Sequence, residues 1–304
     1  MTLLPRLAAT AVLSVLSACT TAPHPTAAPV FQCTHCDEWN QPQQPFNVAA
    51  NTWYVGTQGL SALLITGPQG HILLDGALPQ SAAQIERNIA ALGFRIEDVK
   101  LIVNSHAHFD HAGGIAALQA RSGAQVATSA HGAQVLRDGV IGKDDPQYVP
   151  GDDPMVAKVP GARGVADGET LRVGPLAITA HLTPGHTPGS TTWTWTSCDA
   201  KGCLNMVYAD SVTAVSADGF RFAGARAAEM RSRIDKIAAL PCDVIVSTHP
   251  DFTGTFDKLA ARTPAHNTFI TPDGCRQYAA EAHQRLDARL ASEQAGVPAP
   301  APGH

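Results

Sequence analysis

NSHAHFDHAGG, residues 104–114, sets three histidines and an aspartate, His106, His108, Asp110 and His111, within one short run of a chain that has 13 histidines in all. It continues VKLIVN (99–104), an unbroken apolar run of the kind that forms a buried strand, and it runs through a Gly-Gly pair into a helical pattern. His106 and His108 alternate by two, so on an extended backbone both face one side and can share one cation. Asp110 and His111 continue into the turn and face a second position. Imidazole nitrogen and carboxylate oxygen are donors that zinc accepts, and a catalytic zinc keeps one position for water. Four donors suit two metals better than one, yet two metals need more than this run supplies. The remaining ligands are therefore expected at other strand ends.

Two stretches meet that requirement. LTPGHTPGST places His186 in a Pro/Gly loop after a strand ending near residue 182, and VIVSTHP places His249 directly after an apolar strand. Sites assembled from several strand-end loops are usual for layered α/β enzymes. The other histidines carry no such context. His24, His35, His283 and His304 read as surface or tether residues, and His71, His131 and His266 lack neighbouring donors. Alternation within its strand turns His181 away from the site.

Working outward, apolar alternation and turn residues predict strands at 52–56, 60–66, 71–75, 125–128, 169–173, 176–182, 191–196, 204–209 and 242–248. Helices are expected from Pro79 to a stop at Gly93, over 114–121, briefly near His131, over 225–240 and over 275–293. Residues 138–165, rich in Gly, Pro and Asp, read as a long loop of the kind that covers a site. Two successive groups of strands and helices imply two sheets with helices outside.

The chain has 304 residues, 44% hydrophobic and 15% charged, with 21 basic against 26 acidic residues and a net charge of −5. That balance excludes the basic footprint of a nucleic-acid binder. Arg6 followed by an uncharged apolar run to residue 18 reads as an export signal too short to span a bilayer. It ends in Leu16-Ser17-Ala18-Cys19, which resembles the lipobox of bacterial lipoproteins; an ordinary signal peptide cut near Ala22 or Ala28 is the alternative. The expected organisation is a signal over 1–18, a Pro/Ala/Thr tether over 19–38, a catalytic domain over 39–292 and a disordered tail over 293–304. Of seven cysteines, Cys19 set aside leaves an even number, which in an oxidising compartment favours disulfides, with 15 pairings open. Cys198 and Cys203 flank a short polar turn and suit a hairpin staple. Cys242 with Cys275 would tie a late strand to the last helix. Cys33 and Cys36 have thioredoxin spacing in a Pro-rich leader, where a local disulfide is preferred to a redox role.

These residues resemble the metallo-β-lactamase superfamily from about Trp39 to Arg289, and WNQPQQPF, NTWYVGTQGLSALLI, TPGHTPGSTTWTW and MVYADSVTA resemble its subclass B3. The resemblance implies an α/β fold, a four-layer αββα sandwich with a dinuclear metal site at the edge of the two sheets. It implies two zinc ions, the first held by His106, His108 and His186 and the second by Asp110, His111 and His249. Ser211 and Thr213 would bind the substrate carboxylate, and Asp75 would support the ligand loop. The implied reaction is hydrolysis of a β-lactam amide by a hydroxide shared between the metals, with Asp110 and His186 as catalytic groups, conferring antibiotic resistance. Implied too are a monomer, a small-molecule substrate and a periplasmic location in a Gram-negative bacterium. Some relatives bridge a leader cysteine to the position of Gln58, which this chain cannot do. A glyoxalase II-like thioesterase or a lactonase on the same scaffold is the rival, with YADS aligned so that Asp210 bridges the metals. Metabolic labelling with palmitate is expected to mark the exported chain, and Cys19→Ser to abolish the label; a parent without label would leave only the ordinary signal.

Overall fold

In this computed structural model, which describes residues 31–151, 156–200 and 202–297, strand alternation divides the apolar residues between three buried layers. The first sheet contains β1 (Phe46–Ala49), β2 (Thr52–Tyr54), β3 (Leu63–Ile65), β4 (His71–Leu74), β5 (Val99–Val103), β6 (Gln125–Ser129) and β7 (Arg163–Val165), adjacent in that order. Pairing is antiparallel from β1 to β4 and parallel from β4 to β7. The second sheet contains β8 (Thr170–Val173), β9 (Leu176–Leu182), β10 (Thr191–Asp199), β11 (Gly202–Ala209) and β12 (Val244–Ser247). It is antiparallel except where β11 and β12 run parallel.

The period of two decides which layer each residue joins. Leu63, Ile65, Ile72 and Leu74 point between the sheets with Met206, Tyr208, Val244, Val246 and the fully buried Trp193. Their neighbours Leu64 and Leu73 point outward instead. There they meet α2 (Ala82–Ala91), α4 (Ile115–Ser122) and α5 (Ala130–Asp138) through Ile85, Ile89, Leu118 and Leu136. On the far side Val207, Ala209 and Ile245 meet α6 (Ala225–Ala238) and α8 (Gly274–Gln294) through Met230, Ile234, Tyr278 and Leu286. Helices, sheet, sheet, helices is the four-layer order read from the sequence.

Short elements were less legible. The edge strands β1 and β7, the helical turn α1 (Cys36–Trp39), the motif's own turn α3 (Phe109–Ala112) and α7 (Thr255–Ala261) were not anticipated. Between α3 and α4 the Gly-Gly pair has a steric reason. A Cβ on Gly114 would stand 2.2 Å from Gly76 O, and one on Gly113 2.4 Å from Pro79 Cδ. The loop after β4 also holds Asp75 and Ala77 at φ 60° and 52°, a left-handed geometry that costs a non-glycine residue about 1–3 kcal/mol.

The structure pairs Cys33 with Cys36, Cys198 with Cys203 across the β10–β11 register, and Cys242 with Cys275. It moves both expected boundaries of the catalytic domain. Before Trp39, the Phe31 ring lies 4.7 Å from Phe109 and Gln80 Nε2 donates to Phe31 O, so residues 31–38 pack against the body and are no tether. At the other end α8 runs to Gln294 with Glu293 only 9% exposed, so the tail does not begin at 293. The signal, Cys19, the first part of the tether and residues 298–304 lie outside the described residues.

Glu293 is buried because it is fully used. Its carboxylate accepts from the backbone N–H of Phe222 and Ala223 and from Arg289 Nε. Burial works to raise its pKa, but those donors outweigh it and hold the carboxyl below the ordinary 4.5. A carboxyl depressed in the folded chain adds stability that is complete above the unfolded value and drains away as pH falls through the folded one. Glu293→Gln is therefore expected to be less stable than the parent at pH 7, with the gap closing below about pH 4.5. Urea midpoints across pH read this directly, and a gap independent of pH would refute it.

Candidate metal centre

The C-terminal ends of β4, β5, β11 and β12, together with the turn between β9 and β10, meet at one edge of the sandwich. The β5 end is pinned first. Asp75 accepts from Ser105 N at 2.7 Å and Asn104 Nδ2 at 2.9 Å with one oxygen, and lies 2.7 Å from Ser105 Oγ and 2.8 Å from Tyr208 O–H with the other. Asn104 O accepts from Trp193 Nε1, and Thr191 N donates to Ser105 O, so the second sheet grips the same two residues. Burial raises the Asp75 pKa, and the His111 charge and these donors oppose it.

From that base the chain turns His106, His108 and His186 toward one point; one ring nitrogen of each lies within 4.8 Å of the others. Each ring is held from behind. His106 Nδ1 lies 2.7 Å from Asp210 Oδ1, His108 Nε2 lies 3.1 Å from both oxygens of Asp145, and His186 Nδ1 lies 3.2 Å from Thr213 O and 2.9 Å from Thr213 Oγ1. A ring nitrogen that donates its hydrogen backward leaves the other with a free lone pair. His106 Nε2 is buried without any hydrogen-bond partner among the described residues.

Beside this group stands a second. His111 Nε2 is 3.1 Å from Asp110 Oδ2 and 3.2 Å from His249 Nε2, which is itself 3.4 Å from Asp110 Oδ2. Two imidazole nitrogens facing each other across a carboxylate oxygen suit a shared cation better than a shared proton. The donor set thus fits a metal on both counts.

Electrostatics supports the same use. Burial first, then the neighbouring imidazoles, pushes His106 well below 6.5, and burial with the His108 charge brings His186 down to about 3. Both are neutral lone-pair donors at pH 7. Burial would also lower His108, but the Asp145 carboxylate outweighs it and raises this pKa. Asp110 is buried too, yet the charges and hydrogen bonds of His111 and His249 overcome that penalty and keep it ionised. Asp210 goes the other way, raised by burial and then by the Asp75 charge.

The two groups open on a cavity of about 330 Å³. Ser211 and Thr213 line it as expected for substrate hydroxyls, although Thr213 Oγ1 is already engaged with His186 and Ser211 Oγ with Thr248 Oγ1 at 2.6 Å. Several wall residues lie outside the set read from the sequence, Gln147, Trp39 and His35 among them. Gln147 Nε2 lies 3.4 Å from both His108 Nδ1 and His186 Nε2, and the Trp39 ring lies 5.3 Å from that of His249, tilted by 58°. His35, read as a tether residue, belongs to the same wall, 5.4 Å from Trp39. Asp145 and Gln147 sit in the aperiodic 138–165 loop, which carries no spacing signal. The rival alignment would make Asp210 a bridge between metals, whereas its carboxyl stands behind the His106 ring. His181 bonds Thr194 and takes no part.

A profile of the metallo-β-lactamase superfamily matches residues 55–249. The chain belongs to that superfamily. The Rm3 metallo-β-lactamase is 50% identical with a TM-score of 0.83, covering 86% of this chain and 99% of that one. MEM-A1, a subclass B3 metallo-β-lactamase from a soil metagenome library, is 49% identical with a TM-score of 0.82, covering 85% and 99%. Among curated proteins, a hydroxyacylglutathione hydrolase of Anaeromyxobacter dehalogenans is 29% identical over 246 residues, 81% of this chain and 77% of that one. Likeness to solved metallo-β-lactamases over 85–86% of the chain, at 49–50% identity, places it with the B3 metallo-β-lactamases.

Replacing Asp145 by Asn removes the charge behind His108 and leaves its shape. Metal affinity is expected to fall by about 10- to 100-fold while the protein stays folded, as read by competition with a chelator. Affinity equal to the parent's would mean that Asp145 does not support His108.

Proposed function

We propose that this protein is a zinc-dependent β-lactamase that opens the β-lactam amide by hydrolysis. The observation that carries the reading is the position of Asp210. A thioesterase or lactonase of this superfamily is expected to place an aspartate between its two metals. Here that carboxylate lies 2.7 Å from His106 Nδ1, behind the ring, and the following Ser211 faces the cavity. His106, His108 and His186 would hold one zinc, and Asp110, His111 and His249 the other. When bound, such ions lower the pKa of water to near neutrality and polarise a carbonyl.

The chain's own residues supply the rest. Asp110, ionised at the cavity wall, can accept a hydrogen from the attacking water and so orient it. Gln147, between His108 and His186, can donate its amide hydrogen to a substrate oxygen there. The Ser211 hydroxyl suits the carboxylate that β-lactams carry, and Trp39 and Phe252, both against His249, present apolar faces to the substrate body. Asp145, Asp210 and Thr213 fix the tautomers on which the donor set depends. The reading extends to export into the periplasm with Cys19 as a lipid-bearing N-terminus, a monomeric catalytic unit and a part in antibiotic resistance. An export-like leader and three disulfides support an oxidising compartment.

Purified protein is expected to hydrolyse a chromogenic cephalosporin and to leave a glutathione thioester and a lactone largely untouched. A chelator should abolish the activity and two equivalents of zinc restore it. His106→Ala or Asp110→Ala should eliminate turnover with most of the fold retained. Faster turnover of the thioester than of the cephalosporin would reverse the assignment.

A further inference from the structure

Residues 211–224 connect β11 to α6, and the first of them form part of the cavity wall. Ser211, Thr213 and Val215 line the cavity, and Thr213 holds His186 through its carbonyl and hydroxyl. This segment has no strand to pair with, so its backbone groups need partners elsewhere. Two neighbours on α8 provide them. Arg289, 8% exposed, donates Nη1 to Ala214 O at 2.8 Å, and Nη2 to Ser216 Oγ at 2.8 Å and Phe220 O at 3.0 Å. Its Nε donates to Glu293 at 2.9 Å, and its guanidinium lies 5.1 Å from the Phe222 ring. Glu293 accepts the Phe222 and Ala223 N–H groups at 2.8 and 3.1 Å. The segment then passes the restraint on, since Ala217 N donates to Pro146 O, between Asp145 and Gln147.

We propose that Arg289 and Glu293 are positioning residues for the metal centre. By fixing the backbone at Ala214, Phe220, Phe222 and Ala223, this buried pair sets where Thr213 presents its acceptors, and hence how His186 is oriented. Through Ala217 it also sets the loop that carries Asp145 and Gln147. Removing the guanidinium strands two carbonyls and a hydroxyl that are buried or partly buried, and such groups gain more by turning to water than by staying unpaired. The segment would shift, carrying Thr213 with it. A purely stabilising role would lower the melting temperature and leave metal affinity and KM unchanged in the molecules that remain folded.

The kinetic half of this inference rests on the β-lactamase reading, whereas the metal-binding half does not. The test compares full mature chains of the parent, Arg289→Met, Arg289→Lys and Glu293→Gln at a temperature where each is folded by circular dichroism. Arg231→Ala, which removes an exposed pair with Asp287 on the outer face of α8, is the control. Zinc affinity by chelator competition and the visible spectrum of the cobalt-substituted protein are read first, then kcat and KM for a chromogenic cephalosporin. Arg289→Met is expected to lose metal affinity by about 10- to 100-fold, as for other residues that orient ligands, with an altered cobalt spectrum and a raised KM. Arg289→Lys should recover only part of each effect, because an ammonium cannot reproduce the fork. If Arg289→Met does not fold, Glu293→Gln carries the same readouts. Folded variants with the parent's metal affinity, cobalt spectrum and KM would overturn the proposal. A parent inactive on the cephalosporin would refute the assigned substrate while the metal measurements still judge the pair.

Discussion

Lone pairs on the buried imidazoles of His106, His108 and His186 converge in this protein, and the convergence is tolerable only because each of these three rings is held from behind. Left free, the rings would rotate to satisfy their own hydrogens. Asp210, Asp145 and the Thr213 carbonyl and hydroxyl each take one ring nitrogen of the first group, which commits the opposite nitrogen to the shared point. A buried donor or acceptor without a partner costs about 1–3 kcal/mol. The isolated His106 Nε2 is therefore an unfavourable feature of the folded chain that a cation would relieve.

The same requirement explains why the sandwich is tight beneath the site. Asp75 sits at the centre of a small network that includes Asn104 and Ser105, just after β5 of the first sheet, and Tyr208, near the end of β11 of the second. Trp193 fills the space between the sheets and spends its indole N–H on Asn104 O. Packing and hydrogen bonding thus act on the same two residues. A shift of either sheet would move the start of the motif by the same amount.

How much of this can be read from the chain depends on whether a function leaves a period or a cluster. The six donors do: four stand in one run after an apolar strand, and His186 and His249 follow strands of their own. The layer order is legible because β3, β4, β11 and β12 alternate strictly between two buried faces. Asp145 and Gln147 leave nothing to read, since they sit in a Gly/Pro-rich loop whose shape is set by what it packs against. Arg289 and Glu293 look like an ordinary i,i+4 pair on a polar helix, and only the fold reveals that they face inward. His35 falls in a Pro-rich stretch that reads as a tether, and Trp39 opens the domain without any spacing that marks it as a wall residue; Phe31 against Phe109 and the Cys33–Cys36 bond hold this segment on the cavity. The edge strands β1 and β7 are too short for periodicity to show.

Each donor group draws from both halves of the sandwich. In one group His106 and His108 follow β5 of the first sheet, and His186 precedes β10 of the second. In the other Asp110 and His111 belong to the first half, and His249 follows β12. A ligand that binds only the folded arrangement stabilises it by mass action, by about 4 kcal/mol at a thousandfold excess over Kd. Here that energy would act across the inter-sheet contact, where no disulfide among the described residues does so: Cys198–Cys203 and Cys242–Cys275 lie within the second half, and Cys33–Cys36 within the leader. A metal held by these groups would therefore have a structural role as well as a chemical one, because the same side chains that would ligate it come from both halves.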